Sequence, residues 1–336
     1  MAELEWETGI FKAGNYVANR DETPAAIIEK LVLRFSGMRI QVMMFFFVRA
    51  FYMTIFEPGL PTPVADTTIP VLRILGRNPG PMTGPGTNSY LIGRERLCLI
   101  DPGPINDLQL DNFLTAIGGT GLEYILVTHT HGDHSPASIP LRDATGAELV
   151  GMAAPEVEGN DKSFIPNRLW QHGDVLDCGE YSIKLLHTPG HVSNHVCFLL
   201  EQEKLLFTGD HVLQGTTSVI LPPDGDMGAY LDSLRYLQTL ELSYLAPGHG
   251  DIMGQPQEEL KNLITHRLNR EQKVVDCLLQ LGPSEMDSLV LSVYDDVASH
   301  LIPWAKRTLL AHLIKFEREG RVILENNLYV LTKEDE

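Results

Sequence analysis

A segment of seven residues, THTHGDH at 128–134, concentrates side chains that can bind a metal ion. Its candidate ligands are His129, His131, Asp133 and His134. Imidazole nitrogens and carboxylate oxygens without thiolates suit zinc, with iron and manganese as competitors. A solvated polar loop is the alternative interpretation, but so dense a pattern of groups that are costly to bury favours a metal site.

Three later segments each place one further candidate ligand after an apolar run. HTPGH presents His191, LFTGD presents Asp210 and LAPGHG presents His249. Any one of these residues alone could have a structural role, but four such segments in order favour a shared site. Because four ligands on one short loop would crowd a single ion, we predict two adjacent metal ions, two Zn²⁺ or in their place iron or manganese.

The apolar runs that lead into these segments predict the strands that position them. In EYILVTHTHGDH a strand continues into the first loop, where alternation places His129 and His131 on one side and Gly132 allows a turn. Short β-rich runs separated by Gly and Pro turns fill residues 66–254. Because loops on a rigid scaffold commonly carry function, we predict that this region is the catalytic domain.

The N-terminal extension, residues 1–65, contains an apolar run at 40–56, IQVMMFFFVRAFYMTIF. The run is shorter than the roughly 20 residues that span a bilayer and it carries Arg49, so we predict no transmembrane span. So large an apolar surface predicts burial, either on the catalytic domain near the substrate entrance or across a homodimer interface. A lid over an apolar substrate is an alternative.

The C-terminal region, residues 255–336, changes to three helical patterns followed by two short apolar runs. Asn326 and Asn327 lie between these runs and predict a hairpin turn. Three helices and a terminal hairpin indicate a small winged-helix-like domain. Its fourteen Asp and Glu residues against ten Lys and Arg favour a substrate-cleft wall or a dimer contact over DNA binding.

The composition limits the classes of partner. The chain has 336 residues, and its net charge of −18 repels phosphate backbones and anionic membranes. The first residues lack the pattern of a signal peptide. The widely spaced cysteines without C-x-x-C argue against a disulfide framework or a cysteine zinc site and indicate a reducing compartment, so we expect a cytoplasmic protein. They are Cys98, Cys178, Cys197 and Cys277.

The ordered segments THTHGDH, TPGH, FTGD and PGHG resemble the metallo-β-lactamase superfamily. NPGPMTGPGTNSYLIG, the LIDPG strand and the helical tail more narrowly resemble the β-lactamase-like-protein-2 group of hydrolases. This resemblance covers roughly residues 70–330. It implies an α/β fold, the four-layered αβ/βα sandwich of that superfamily, with a small C-terminal winged-helix domain.

The resemblance also implies a role for each candidate ligand. The first metal would have His129, His131 and His191, the second Asp133, His134 and His249, and Asp210 would bridge them. Asp101 in LIDPG resembles a supporting acid, which would orient a ligand. His195 is either a supporting or a structural residue, and His211 has no assigned role.

The site predicts hydrolysis by a metal-bound hydroxide. Two cations would hold a bridging water and lower its pKa toward neutrality, for attack on a carbonyl carbon or on phosphorus. Asp133 would hold the nucleophile and carry its proton to the leaving group. The segment after Asp210 is a candidate substrate loop with candidate contacts at Thr216, Thr217 and Ser218, and a polar loop packed on itself is the alternative. The chain has no G-x-S-x-G motif of a serine hydrolase.

Three functions remain open at this point. Members of the family cleave thioesters, esters and lactones, so a small acyl or lactone substrate is the first prediction. An endoribonuclease acting on single-stranded RNA is the alternative within the family, and it would need a local basic patch on the helical tail. Candidates for that patch are Arg267, Arg270, Lys273, Lys306 and Arg307. A non-catalytic binding module is the third alternative, which the intact ligand set disfavours.

Overall fold

The computed structural model describes residues 57–332 and, nearer the N-terminus, the backbone of three short strands. These strands form an antiparallel sheet in the order β1 (Trp6–Glu7), β2 (Ile10–Ala13) and β3 (Tyr16–Asn19). The predicted burial of the apolar run at 40–56 lies outside the described residues. The chain divides into two compact units, Met1–Glu57 and Pro58–Glu336, and the second holds every candidate ligand.

Six strands form the first sheet of the second unit. In their order across the sheet they are β4 (Pro61–Pro63), β5 (Val71–Leu75), β6 (Asn88–Ile92), β7 (Leu97–Ile100), β8 (Leu122–Leu126) and β9 (Glu148–Val150). Strands β4 to β7 pair antiparallel, while β7, β8 and β9 are parallel. The parallel strands need crossover connections, which helices α1 (Asp107–Ile117) and α2 (Ser138–Thr145) provide.

Five strands form the second sheet. They are β10 (Val175–Asp177), β11 (Ser182–His187), β12 (Val196–Leu200), β13 (Leu205–Gly209) and β14 (Tyr244–Pro247), again in spatial order. The last pair is parallel and is connected through helix α3 (Met227–Gln238). Asp226 caps α3, since its carboxylate accepts the backbone N–H of Ala229.

The two sheets pack face to face over a shared core. Tyr90 from the first sheet and Phe207 from the second lie with ring centroids 5.0 Å apart in this core. Helices cover both outer faces: Phe113 of α1 packs on the first sheet, and Leu231 of α3 packs on the second. The layers therefore run helix, sheet, sheet, helix, which confirms the predicted four-layered α/β sandwich.

The C-terminal region has the predicted helices and hairpin. Helices α4 (Pro256–Leu281), α5 (Met286–Val293) and α6 (Ile302–Arg318) precede the antiparallel pair β15 (Val322–Glu325) and β16 (Leu328–Leu331). Asn326 and Asn327 have φ angles of 50° and 67°, as the tight hairpin turn requires. Within residues 57–332, no helix is long and apolar enough to cross a membrane.

Helix α4 belongs to two cores. Leu260 and Leu263, near its start, pack with α3 against the second sheet. Val274 and Leu278, near its end, pack with α5, α6 and the hairpin. The helix is therefore a continuous connection between the catalytic sheets and the C-terminal region.

Candidate metal centre

The candidate ligands lie on loops at strand ends, as the apolar runs predicted. The loop of residues 128–134 follows β8, and His191 lies on the turn between β11 and β12. Asp210 directly follows β13, and His249 follows β14. The carboxyl ends of β8, β13 and β14 therefore bring segments that are distant in sequence to one edge of the two sheets.

Three imidazoles form the first group, the three-histidine cluster (His129, His131 and His191). The Nδ1 atom of His131 lies 3.0 Å from Nε2 of His129 and 3.1 Å from Nε2 of His191. Burial, followed by the neighbouring imidazoles, lowers the pKa of His129 well below its usual value, and burial lowers that of His131 to about 4. Neutral imidazoles with converging nitrogens are the form that binds a metal.

A second group, the mixed cluster, consists of Asp133, His134 and His249. Nε2 of His249 lies 3.2 Å from Oδ2 of Asp133, and Nε2 of His134 lies 3.7 Å from the same oxygen. The candidate ligand atoms of each cluster lie within 4.8 Å of one another. Each cluster is therefore compact enough to bind one ion.

Asp210 faces both clusters. Its Oδ1 lies 3.4 Å from Nε2 of His134 and 3.4 Å from Nε2 of His249, in the mixed cluster. Its Oδ2 lies 3.9 Å from Nε2 of His191, in the three-histidine cluster. One carboxylate with an oxygen toward each group has the geometry of a bridging ligand.

Buried atoms without partners provide a test of whether these residues fit metal ions. Nε2 of His134 and Oδ1 of Asp210 are buried and have no hydrogen-bond partner within residues 57–332. Although burial lowers the pKa of His134, the carboxylates of Asp133, Asp210 and Asp101 raise it well above its usual value. The site therefore attracts positive charge at the point where the unpartnered atoms meet, and divalent cations fit it.

Asp101 supports the mixed cluster from behind, in the position expected of it. Its carboxylate accepts the backbone N–H and the hydroxyl of Thr128, both at 2.7 Å. Its Oδ2 also lies 2.9 Å from Nδ1 of His134. Because the carboxylate only accepts, Asp101 holds the Nδ1 proton of His134, and Nε2 is the nitrogen from which a metal ion would displace a proton.

His191 receives a different kind of support, which the sequence did not reveal. Its Nδ1 lies 2.6 Å from the carbonyl oxygen of Val219 and 3.1 Å from the hydroxyl of Ser218. Ser218 is 2% exposed and is engaged with His191, so its predicted role as a substrate contact is wrong. Thr216 is exposed and Thr217 is half-buried, so both remain candidates for that role.

Asn88 and Tyr90 hold the turn that carries His249. The Asn88 side chain donates to the carbonyl oxygens of Pro247 and Gly250, at 3.0 and 2.8 Å. Its backbone N–H donates to the carbonyl of the intervening Gly248 at 2.7 Å. The Tyr90 hydroxyl donates to Pro247 at 2.7 Å. Asn88 lies in the segment TNSYLIG that carried the family resemblance, but no local pattern indicates that it contacts this turn.

Two further histidines lie near the clusters without joining them. His195 is buried behind His129, with ring centroids 5.2 Å apart, and its Nδ1 lies 3.0 Å from the Thr188 hydroxyl. His211 is fully buried, its ring lies 4.7 Å from that of Tyr230, and burial lowers its pKa to about 3. Both are neutral imidazoles of the surrounding core.

The basic residues of the C-terminal helices do not form an unneutralised patch. Arg267 is 4% exposed and therefore lies in the interior. Three others form ion pairs with aspartates: Arg270 with Asp296, Lys273 with Asp295, and Lys306 with Asp287. Of the five candidates for an RNA-binding patch, only Arg307 is exposed without an ion pair in the described part of the chain.

Comparison with known proteins agrees with this geometry. Residues 46–249 match the model of the metallo-beta-lactamase superfamily, and residues 286–327 match that of the beta-lactamase associated winged helix domain. The lactamase-like protein nscB of Trichophyton rubrum is 37% identical over 273 residues, which cover 75% of this chain and 80% of that protein. The beta-lactamase-like protein 2 homolog of Caenorhabditis elegans is 29% identical over 261 residues, with 75% and 84% covered.

A solved structure shows the same fold. A beta-lactamase domain protein from Burkholderia ambifaria superposes with a TM-score of 0.70 and 17% sequence identity. The match covers 82% of this chain and 94% of that protein. At this level of identity the likeness concerns the fold alone.

Proposed function

The chain belongs to the metallo-beta-lactamase superfamily, and from that premise we propose that it is a dinuclear metal hydrolase acting on a thioester, an ester or a lactone. Its membership makes it a metal-dependent hydrolase. The observation that carries the dinuclear assignment is the position of Asp210, whose two carboxylate oxygens face the two compact clusters.

We assign the ligands by these clusters. His129, His131 and His191 would hold one ion, and Asp133, His134 and His249 would hold the other. Asp210 would bridge them. A set of nitrogen and carboxylate ligands without thiolate favours Zn²⁺, with iron or manganese as the alternatives that metal analysis would distinguish.

Asp133 is the residue that we assign to proton transfer. Divalent metals held by these residues would supply Lewis acidity and would make water nucleophilic near neutral pH. The side chain of Asp133 is 29% exposed, against 13% for Asp210, so it is the site carboxylate that water and substrate reach. Burial raises the pKa of Asp133, but the charge of His134 together with the hydrogen bond and charge of His249 lowers it to about 2, which keeps the carboxylate ionised. Since it is ionised and accessible, we assign it to accept a hydrogen bond from the attacking water and to carry that proton to the leaving group.

The surroundings of the site support a small acyl or lactone substrate over RNA. The chain carries a net charge of −18. A recess of about 500 Å³ is lined in part by Gly159, which precedes Asn160, whose backbone pairs with His131. Its lining includes Glu156 and Glu158 but only one arginine, Arg307. Because a polyanion needs several cations along its path, such a wall disfavours RNA.

A substrate panel tests the proposal. Full-length protein, produced with added zinc, would be assayed on thioester, ester, lactone, phosphodiester and single-stranded RNA substrates, beside Asp210→Ala. A matched control is Asp232→Ala, because this exposed aspartate, on the surface of α3, forms an ion pair with Arg235 alone among residues 57–332. We expect turnover of an acyl substrate that Asp210→Ala abolishes and Asp232→Ala leaves unchanged. Cleavage of RNA alone would establish the alternative function, and hydrolysis by metal-free protein would refute the metal mechanism.

A further inference from the structure

Arg267, on helix α4, is a buried charge without a counter-ion. It is 4% exposed, and no carboxylate of residues 57–332 forms an ion pair with it. Its Nε atom has no hydrogen-bond partner in that part of the chain. Arg270, three residues later, instead pairs with Asp296 in two hydrogen bonds. Burying an unpaired guanidinium is costly. We therefore expect the contacts that Arg267 does make to have a specific role in the interior.

The first of these contacts leads to the three-histidine cluster through a loop. A terminal nitrogen of Arg267 donates to the carbonyl oxygen of Ser218. The Ser218 hydroxyl lies 3.1 Å from Nδ1 of His191, and the next carbonyl, of Val219, lies 2.6 Å from the same nitrogen. Arg267 therefore holds the backbone that holds His191.

The second contact reaches the same histidine from the other side. The guanidinium carbon of Arg267 lies 5.3 Å from the ring centroid of Tyr230. Tyr230 packs against Gly190 so closely that a Cβ atom on this glycine would lie 2.3 Å from the Tyr230 Cα. Gly190 precedes His191 in the chain. Both contacts of Arg267 thus converge on one candidate ligand.

The hydrogen-bond chemistry explains what this arrangement does. A carbonyl oxygen can only accept, so the 2.6 Å contact with Val219 requires the proton of His191 to lie on Nδ1. The Nε2 lone pair then faces His131 and the cluster. If the Ser218–Val219 backbone shifted, the ring of His191 would no longer be held in one orientation and one tautomer.

We propose that Arg267 is a positioning residue for His191, through which the C-terminal region controls the metal affinity of the three-histidine cluster. The inference rests on the proposed metal centre. Helix α4 contributes no candidate ligand. The inference nevertheless predicts that replacing Arg267 on this helix weakens metal binding at the three-histidine cluster and leaves metal binding at the mixed cluster unchanged.

The test is zinc binding by the full-length chain, measured by competition with a chromophoric chelator, together with the absorption spectrum of the cobalt-substituted protein. The variants are Arg267→Met, Arg267→Lys and the matched control Arg270→Met. We expect Arg267→Met to raise the dissociation constant of one of the two zinc ions by about 10- to 100-fold and to change the absorption spectrum of the cobalt-substituted protein. Arg267→Lys should recover part of this loss, because its ammonium group can still donate to Ser218. Arg270→Met should leave both dissociation constants and the spectrum unchanged.

A folded Arg267→Met protein with wild-type zinc affinity and cobalt spectrum would overturn the inference. If Arg267→Met does not fold, Arg267→Gln replaces it, and unchanged metal binding in Arg267→Gln would overturn the inference in the same way. Wild-type protein that binds fewer than two ions would instead contradict the proposed dinuclear function, so the two failures are distinguishable.

Discussion

Oδ1 of Asp210 lies 3.4 Å from Nε2 of His134, and neither atom has a hydrogen-bond partner among the described residues. A buried carboxylate oxygen and a buried ring nitrogen that form no hydrogen bond each carry a desolvation cost. A metal ion bound by both atoms would offset that cost. This relationship makes metal content the first quantity to measure.

Asp210→Ala should therefore lose most of its bound metal, because the substitution removes the carboxylate whose two oxygens face both clusters. We expect close to two first-row metal ions per chain in the wild type, by elemental analysis of protein grown with added zinc. His129→Ala should have the same effect, and Asp232→Ala should not. Wild-type protein that contains no metal after growth with added zinc would contradict the interpretation of this site as a metal centre.

Asp101→Asn should weaken metal binding without unfolding the protein. Asp101 has a φ of 49°, a conformation that asparagine tolerates, so the backbone is preserved. The amide cannot accept at every point where the carboxylate accepts from Thr128 and His134, so the orientation of His134 is lost. We expect a loss of affinity of about 10- to 100-fold in a chelator competition. Asp177→Asn, at the exposed end of β10, is the control, and equal losses in both variants would contradict a specific role.

Asn88→Ala should destabilise the turn that carries His249. The change removes two side-chain hydrogen bonds, to the carbonyls of Pro247 and Gly250, to which Tyr90 and Arg73 still donate, so the free energy of unfolding should fall by about 2 kcal/mol. Chemical denaturation in the presence of a chelator measures this cost without a metal contribution. Asn167→Ala, an exposed asparagine that accepts from Leu149, should cost less. A smaller effect at position 88 than at 167 would be inconsistent with the proposed clamp.

The pair of Glu271 and His312 should make the C-terminal region sensitive to acid. Nδ1 of His312 lies 3.3 Å from the Glu271 carboxylate, which also pairs with Lys315 at 3.1 Å. Burial raises the pKa of Glu271, but its bond with His312 and the charge of Lys315 lower it overall. Burial lowers the pKa of His312.

Both shifts have the same sign for stability. Below about pH 6.5 the unfolded chain binds a proton at the His312 position that the folded chain resists, and the contribution of Glu271 is lost as the pH falls through its lowered pKa. Stability should therefore decline on acidification. Thermal unfolding of metal-free protein between pH 2 and 8 should show Glu271→Gln less stable at neutral pH, with the difference narrowing only as the pH falls below about 4.3, the usual pKa of a glutamate. A difference that is independent of pH would refute this origin, and Glu319→Gln is the surface control.

The sequence predicted those parts of the site in which chemistry is concentrated in one segment. THTHGDH and the three later segments each combine a ligand-type residue with an apolar run, and their strands determine where the ligands lie. Asn88, Arg267 and the Val219 carbonyl escaped prediction because each acts across a long sequence separation and through backbone acceptors. Ser218 was misread for the same reason, since a loop serine bonded to a ligand has the same local pattern as an exposed one.

The sharing of helix α4 between two cores has a consequence for how the protein unfolds. Leu260 and Val274 lie on the same helix but in different cores. Fraying at the start of α4 would therefore remove packing from the core of the second sheet, and fraying at its end would remove packing from the C-terminal core. The catalytic sheets and the C-terminal helices should therefore melt in a single cooperative transition rather than as separable modules. A chain cut after residue 255 would keep α3 but lose Leu260 and Leu263, which pack beside α3 against the second sheet. We therefore expect the two family domains of this protein to fold as one unit and not as transferable modules.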